Sequence, residues 1–195
     1  MASPPRSQTT FIVAGEVCVL AEPATLVTVL GSCVAVCLWS AEARVGGINH
    51  YLVPRSLPSD QNYLGGDRAI ATLIDQMLSQ LSSPPPSRVP VQSPNQRGSR
   101  PPQWPILRAP AANIHRRQLI AKVFGGAHTG QHGWNGGAEN ILMAWAELRK
   151  AGIPIVAADV GGTDSRRISF NVATGQVQVQ RMSAVGSPGS REDHR

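Results

Sequence analysis

Two apolar segments that stand only a few residues apart constrain the fold of this chain more than any other feature of its sequence. Residues 30–39 and 46–52 are short apolar runs bounded by turn residues, a pattern typical of β-strands. The connection between them, built on residues 40–43, is short enough for a hairpin loop. The sequence therefore predicts two adjacent antiparallel strands.

The predicted hairpin sets a thiol beside an imidazole. When the loop is centred between Ala41 and Glu42, Cys33 lies directly opposite His50. Directly opposed residues of an antiparallel pair have Cβ atoms about 4.5–5.5 Å apart. A histidine at that distance can take the proton of a cysteine thiol and convert the thiol into a nucleophile. Because a free cysteine is more often a packed core residue, the pairing is a hypothesis about geometry.

Length and composition predict one domain with extensions. The chain has 195 residues, of which 42% are hydrophobic, as in ordinary globular proteins. Nine of its sixteen prolines lie in residues 84–110, and such a segment cannot bury enough apolar surface to order itself. We predict a single domain over residues 10–182 with a Pro-rich inserted loop at about 82–110. The polar segments 1–9 and 183–195 are predicted to be a disordered N-terminus and a flexible tail.

Apolar periodicity predicts two main helices among seven or eight strands. Besides the two strands of the hairpin, strands are predicted at 11–20, 25–30, 119–124, 153–157, 167–170 and 176–181. Asp67 is the expected N-cap of a first helix, whose apolar stripe comprises Ile70, Leu73, Ile74, Met77, Leu78 and Leu81. A second helix ends at Gly152, and its stripe comprises Ile141, Leu142, Trp145 and Leu148. Strands joined mostly by hairpins favour an α/β fold with a mostly antiparallel or mixed sheet rather than a doubly wound one.

The sequence favours a cytoplasmic protein that does not insert into a membrane. Residues 1–8 lack the apolar core of a signal peptide. The longest apolar stretch, residues 26–39, is interrupted by polar residues and is too short to span a bilayer.

Cysteine and histidine spacing argues against a metal site. Cys33 and Cys37 are four positions apart on a predicted strand, too far apart to chelate one zinc ion. Together with Cys18 they form no disulfide framework in a reducing compartment. His128 and His132 lie among glycines, where no helix can hold them on one face, and no carboxylate or cysteine completes a shell. We expect no metal and no organic cofactor.

Net charge leaves the partner open. The formal charge is +6, which would suit either nucleic acid or an acidic protein surface. The basic residues form no stripe and are not interleaved with aromatic residues, so nucleic-acid binding is disfavoured.

Two glycine-rich turns have a structural and a functional interpretation. Gly125-Gly126-Ala127 and Gly161-Gly162-Thr163 match no phosphate-binding pattern. They can be ordinary turns, or they can allow the backbone to approach a substrate chain closely.

Several of these segments together resemble a known family. Residues 30–37 (Leu-Gly-Ser-Cys-Val-Ala-Val-Cys) and 46–50 (Gly-Gly-Ile-Asn-His) are similar to the signature of the chemoreceptor glutamine deamidase CheD family. The similarity continues through 121–127 and Asn140, and through the segment Gly152 to Gly162. It ends with Arg166-Arg167 and residues 171–175.

The resemblance implies a fold, an activity and a site. The fold would be a three-layer α/β/β sandwich. The activity would be that of a protein-glutamine glutaminase, hydrolysing glutamine side chains on methyl-accepting chemotaxis receptors to glutamate. The nucleophile would be Cys33 and the histidine His50, with no cofactor. A CheY-phosphate phosphatase is a further implied partner.

One position departs from the family pattern. The third catalytic member of the family is a threonine six residues before the cysteine, where this chain has Val27. Thr28 is one residue closer, and a shift of one residue in a strand reverses the side-chain face. Either Thr28 serves through a shifted or bulged backbone, or this chain lacks that hydroxyl. In the second case a non-catalytic chemotaxis adaptor, which binds a receptor or a phosphatase, is the alternative function.

Overall fold

The computed structural model describes residues 8–21, 23–57, 64–82, 118–128 and 136–183. These residues form nine strands and two helices. The strands are β1 Gln8–Phe11, β2 Glu16–Leu20, β3 Ala24–Leu30, β4 Val34–Ser40, β5 Val45–His50, β6 Leu119–Gly125, β7 Ile155–Val160, β8 Ser165–Asn171 and β9 Val177–Met182. The helices are α1 Gly66–Ser82 and α2 Gly136–Ala151. Neither helix is both long enough and apolar enough to cross a bilayer.

The strands form two mixed sheets. One sheet has five strands in the order β2-β5-β4-β6-β7, and the other has four in the order β1-β3-β8-β9. The pairs β1–β3 and β6–β7 are parallel, whereas the other pairs are antiparallel. The predicted α/β class with a mixed sheet is confirmed.

Strand β4 separates two hydrophobic cores. Its residues Val34, Val36 and Leu38 join a cluster with both helices, whereas Ala35 and Cys37 join residues of the four-stranded sheet. Because successive side chains of a strand point to opposite faces, the helices cover one face of the five-stranded sheet and the four-stranded sheet covers the other. This arrangement of layers agrees with the α/β/β sandwich that the resemblance implies.

The predicted register of the β4–β5 hairpin is wrong by two residues. Strand β4 begins at Val34 rather than at residue 30, and Ser40 lies opposite Val45. The loop therefore includes Arg44, which adopts a left-handed conformation with φ of 55°. This conformation is uncommon outside glycine, and residue types alone did not indicate it.

The N-terminal segment forms two strands instead of the single predicted one. A turn at Val13–Gly15 (φ of 84° at Gly15) separates β1 from β2, and the two strands belong to different sheets. Strand β1 begins at Gln8, so the prediction of disorder is wrong for residues 8 and 9. Residues 1–7 lie outside the described residues, as do most of the predicted insert and tail.

Helix α1 follows its predicted stripe but not its predicted cap. Four stripe residues are buried and the other two pack against the same core: Ile70, Leu73, Ile74 and Met77, then Leu78 and Leu81. The helix begins at Gly66 and includes Ser82. Asp67 is therefore a first-turn residue, and its carboxylate accepts hydrogen bonds from the Ser56 N–H and hydroxyl, each at 2.9 Å.

Helix α2 buries only part of its predicted stripe, since Leu148 is buried and Ile141 packs against the core, whereas Leu142 and Trp145 are exposed. Its buried residues include Asn140, Ala144 and Leu148, whereas Leu142 is 67% exposed. The apolar stripe was misjudged because a polar residue, Asn140, occupies the buried face. The predicted end at Gly152 is confirmed. Gly152 has φ of 70°, and the N–H groups of Gly152 and Ile153 close the helix as a Schellman motif.

Candidate active site

The segment that carries Cys33 connects the two sheets and is anchored through its carbonyl groups. Gly31 O and Cys33 O accept hydrogen bonds from the N–H groups of Ala127 and Gly126, at 2.8 and 2.7 Å. Ser32 O accepts a hydrogen bond from Asn140 Nδ2 at 3.1 Å. Three successive carbonyls therefore have fixed directions immediately before β4.

A buried arginine holds the glycine turn that anchors Cys33. The guanidinium of Arg166 donates to Gly125 O at 2.7 Å, to Asp159 O at 2.9 Å and to Gly161 O at 2.6 Å. Gly125 has φ of 107°, and a Cβ there would overlap Cys33 O. The backbone that Gly125 approaches closely is therefore that of Cys33 in the same chain.

Thr28 and His50 meet across the two sheets. Thr28 Oγ1 lies 2.9 Å from His50 Nδ1 and donates its hydrogen to Ile12 O at 2.7 Å. Both side chains are buried, at 1% and 6% exposure. Since the hydroxyl hydrogen is already used, the contact with His50 requires that Nδ1–H donates to the threonine oxygen. The neutral imidazole therefore carries its hydrogen on Nδ1 and its lone pair on Nε2.

Cys33 lies on the same side of the five-stranded sheet as His50 but not directly opposite it. The pairs Val34–Tyr51 and Cys37–Ile48 place Ala35 opposite His50, so Cys33 is a diagonal neighbour. Diagonal neighbours are about 7–8 Å apart. His50 Nε2 is buried and has no hydrogen-bond partner among the described residues. The predicted direct opposition is wrong, and the structure brings Thr28 rather than Cys33 into contact with the histidine.

The electrostatics of the site favour two neutral groups. Burial raises the pKa of Cys33, although the N–H groups of Cys33 and Gly31 and the Ser32 side chain favour the thiolate. Burial lowers the pKa of His50, against the opposing effects of Ile12 O and the Glu16 carboxylate. For both groups desolvation by burial has the largest effect on the pKa.

A comparison with protein-family models matches residues 108–181 to the family described as CheD chemotactic sensory transduction. A relative from Anaeromyxobacter dehalogenans, named probable chemoreceptor glutamine deamidase CheD 1, is 35% identical over 175 residues. That alignment covers 88% of this chain and 84% of the relative. The chain belongs to the CheD family.

Other relatives in the CheD family match over similar lengths. Proteins named probable chemoreceptor glutamine deamidase CheD come from Sulfurimonas denitrificans (32% identical; 87% of this chain, 92% of the relative) and Caulobacter vibrioides strain NA1000 / CB15N (34%; 93% and 82%). The alignments extend well beyond the matched domain. The resemblance inferred from the sequence segments is confirmed.

In the described part of this CheD-family chain, the cysteines and histidines besides Cys33 and His50 are Cys18, Cys37 and His128. Cys37 is fully buried in the core between the sheets, and burial raises its pKa. Cys18 is half-buried on β2, and burial together with Glu16 raises its pKa. His128 is exposed, and its N–H donates to Gly162 O. His132 lies outside the described residues.

Two residues that contact the Cys33 region had no predicted role. Asn140 and Arg166 were noted in the sequence only as members of segments that resemble the CheD family. Both are buried, at 0% and 2% exposure, and both bind backbone carbonyls near Cys33. For Asn140 a signal existed, since it lies four residues before Ala144 and eight before Leu148 on the buried face. For Arg166 the signal was the strand alternation that places it on the same face as Ile168 and Phe170.

Proposed function

We propose that this chain hydrolyses glutamine side-chain amides of methyl-accepting chemotaxis receptors to glutamate, with Cys33 as the nucleophile. The observation that carries the proposal is the buried Thr28–His50 pair, which leaves the Nε2 lone pair free on the side of the sheet that Cys33 shares. The names of the relatives support glutamine in chemoreceptors as the substrate.

The first half of the reaction forms a thioester. His50 Nε2 takes the thiol proton as Cys33 Sγ bonds to the carboxamide carbon. Because Sγ and Nε2 are not hydrogen-bonded in the free protein, the cysteine side chain must turn towards the histidine when substrate binds. The resulting imidazolium gives its proton to the nitrogen, the C–N bond breaks, and ammonia leaves.

The second half regenerates the enzyme. His50 removes a proton from water, the hydroxide adds to the thioester carbon, and the C–S bond breaks to release glutamate and the thiol. Thr28 keeps the imidazole oriented in both halves. The backbone N–H groups of Ser32 and Cys33 stabilise the oxyanion that forms in each addition.

The proposal includes the compartment and a second partner. Cys18, Cys33 and Cys37 are all free thiols, which suits a reducing cytoplasm. A CheY-phosphate phosphatase stays a predicted partner on the strength of the family resemblance.

Receptor deamidation followed by peptide mass spectrometry tests the proposal. Wild type, Cys33→Ala and Cys18→Ser are compared on the same receptor preparation, where Cys18 is the matched thiol outside the site. Conversion of glutamine to glutamate by wild type and Cys18→Ser, but not by Cys33→Ala, is the expected result. Equal conversion by Cys33→Ala would overturn the cysteine mechanism. Receptor binding without conversion by any of the three proteins would replace the enzyme with the adaptor.

A further inference from the structure

Asn140 connects the two segments that carry the proposed catalytic residues. It lies near the start of α2 and is completely buried. Its Nδ2 donates to Ser32 O at 3.1 Å and to Leu52 O at 2.8 Å. Both amide hydrogens are therefore used. A flipped amide would place Oδ1 against two carbonyl oxygens, so the orientation of the side chain is fixed.

The two carbonyls that Asn140 binds lie close in sequence to the proposed catalytic residues. Ser32 immediately precedes Cys33, and Leu52 follows His50 by two residues. Tyr51 Oη donates to Asn140 O at 2.6 Å, a bond to the helix backbone rather than to the carboxamide. One side chain thus ties the nucleophile segment to the end of the histidine strand.

Among the described residues, Asn140 supplies the side-chain hydrogen bond to the Gly31, Ser32 and Cys33 carbonyls, at Ser32 O. Backbone N–H groups bind the other two carbonyls. The Ser32 carbonyl shares a planar peptide unit with the Cys33 N–H, so the bond from Asn140 also fixes the direction of that N–H. The N–H groups of Gly31 and Cys33 and the Ser32 side chain favour the thiolate form of Cys33. Loss of the Asn140 bond would free the central peptide of this segment.

We infer that Asn140 is a positioning residue for the deamidation step, because its carboxamide fixes the Ser32–Cys33 peptide and thereby the N–H group of Cys33. This inference rests on the proposed function for the reaction that it serves. In this inference Asn140 does not contact the substrate. Replacing Asn140 should therefore change kcat and the pKa of Cys33, but not the affinity for substrate.

The experiment compares Asn140→Asp and Asn140→Ala with Tyr51→Phe. Asn140→Asp keeps the size of the side chain but loses both donors. Asn140→Ala provides a second variant in case the buried carboxylate prevents folding. Tyr51→Phe is the matched control, since it removes a hydrogen bond to the same helix residue and leaves the Ser32 and Leu52 carbonyls bound. Each full-length variant is assayed for kcat and KM, for Tm, and for the pH profile of Cys33 alkylation by site-resolved mass spectrometry.

We expect the Asn140 variants to lose about 10- to 100-fold in kcat, because small displacements of reacting groups are that costly, with KM within about twofold. The alkylation midpoint of Cys33 should rise, because the Cys33 N–H, which favours the thiolate, loses its fixed direction. Tyr51→Phe should lower Tm while keeping the wild-type kcat and alkylation profile.

Two results would overturn the inference. One is a folded Asn140 variant with wild-type kcat and an unchanged alkylation profile. The other is a Tyr51→Phe variant that loses as much kcat as Asn140→Ala, which would show a general structural effect. Alkylation needs no receptor. If wild type proves inactive on receptors, the proposed function fails while the role of Asn140 towards Cys33 is still tested.

Discussion

Thr28 Oγ1 lies 2.9 Å from His50 Nδ1, across the interface between the two sheets. Strand β3 pairs regularly with β8 from Thr25 to Leu30, so no bulge is needed to bring the hydroxyl there. Thr28 lies on the inner face of β3 with Leu26 and Leu30, which belong to the core between the sheets. Of the two alternatives that the sequence left open, the geometry supports a hydroxyl supplied by Thr28.

Thr28→Val should lower kcat about tenfold and leave KM nearly unchanged. Valine matches the shape of threonine but cannot accept the Nδ1–H hydrogen bond, so the imidazole loses its orientation. It also leaves Ile12 O without its hydroxyl donor, which should cost about 1–3 kcal/mol of unfolding free energy. Steady-state kinetics and urea unfolding measure the two effects. Thr28→Ser retains the hydroxyl and should stay close to wild type in kcat. Equal losses in both variants would contradict an orienting role.

The sequence was sufficient for elements with strong local signals. The β8–β9 hairpin, strand β6, helix α1 and the helix end at Gly152 are confirmed. These predictions depend on apolar periodicity and turn chemistry, which act over a few residues. The sequence did not predict that β1 and β2 belong to different sheets. Apolar residues continue to alternate across the turn at Gly15, so the two strands resembled one.

The error in the hairpin register did not separate the site residues. A register shift of one residue moves side chains to the opposite face, whereas a shift of two preserves the face. Cys33 and His50 therefore still share one side of the sheet. The contacts of Asn140 and Arg166 could not be predicted, because they join residues that are 108 and 41 positions apart. Hydrogen bonds of buried polar groups leave no periodic signal.

The acid limb of the kcat/KM profile should have its midpoint below about 6.5, the ordinary pKa of histidine. Burial lowers the pKa of His50, and its neutral form must act as the base. The sign for stability follows from the same shift. Neutral His50 contributes fully to the free energy of unfolding at a pH above its pKa in the unfolded chain. This contribution is lost as the pH falls through the pKa of His50 in the folded protein.

Glu16→Gln tests the cause of the His50 shift. The Glu16 carboxylate raises the pKa of His50 against the dominant effect of burial. Removing that charge should lower the midpoint of the acid limb further. Measurement of kcat/KM against pH for wild type and Glu16→Gln gives both midpoints, and an NMR titration of His50 assigns them. A wild-type midpoint at or above 6.5 would show that the imidazole is more solvated than the structure indicates.

Cys33 in the free protein should be alkylated more slowly at neutral pH than an unperturbed thiol. Burial raises its pKa, and the thiolate is the species that reacts. Iodoacetamide labelling over a pH series, quantified for each cysteine by mass spectrometry, gives the midpoint. Cys37 provides an internal reference, because it is fully buried and should remain unlabelled in the folded protein. Rapid labelling of Cys33 well below pH 8 would indicate a thiolate that the free structure does not account for.

Arg166→Met should lower the unfolding free energy by about 3 kcal/mol or more, because each buried carbonyl left without its donor costs about 1–3 kcal/mol. Arg166 Nε lies 3.6 Å from Asp159 Oδ1, and the guanidinium also donates to four backbone carbonyls, of which Gly125 O keeps a second donor in the Gly161 N–H. Arg181→Met is the matched control, since Arg181 pairs with the same carboxylate at 3.2 Å but has a side chain that is 63% exposed. An exposed pair contributes about 0–1 kcal/mol. Similar losses in urea unfolding of the two variants would contradict the buried role of Arg166.

Gly125→Ala should impair both folding and catalysis, whereas Gly152→Ala should impair stability alone. Both glycines have positive φ, of 107° and 70°, so alanine strains the backbone at either position. At Gly152 a Cβ would meet nothing within 4 Å, and the expected cost is the conformational strain of about 1–2 kcal/mol. At Gly125 the Cβ would overlap Cys33 O, so the nucleophile segment must move to accommodate it. We expect kcat of the folded Gly125→Ala protein to fall by tenfold or more, with Gly152→Ala at the wild-type value.

The assay for these two glycine variants measures receptor deamidation at a temperature where circular dichroism shows that both are folded. Unchanged kcat in Gly125→Ala would show that the position of the Cys33 carbonyl does not control the reaction.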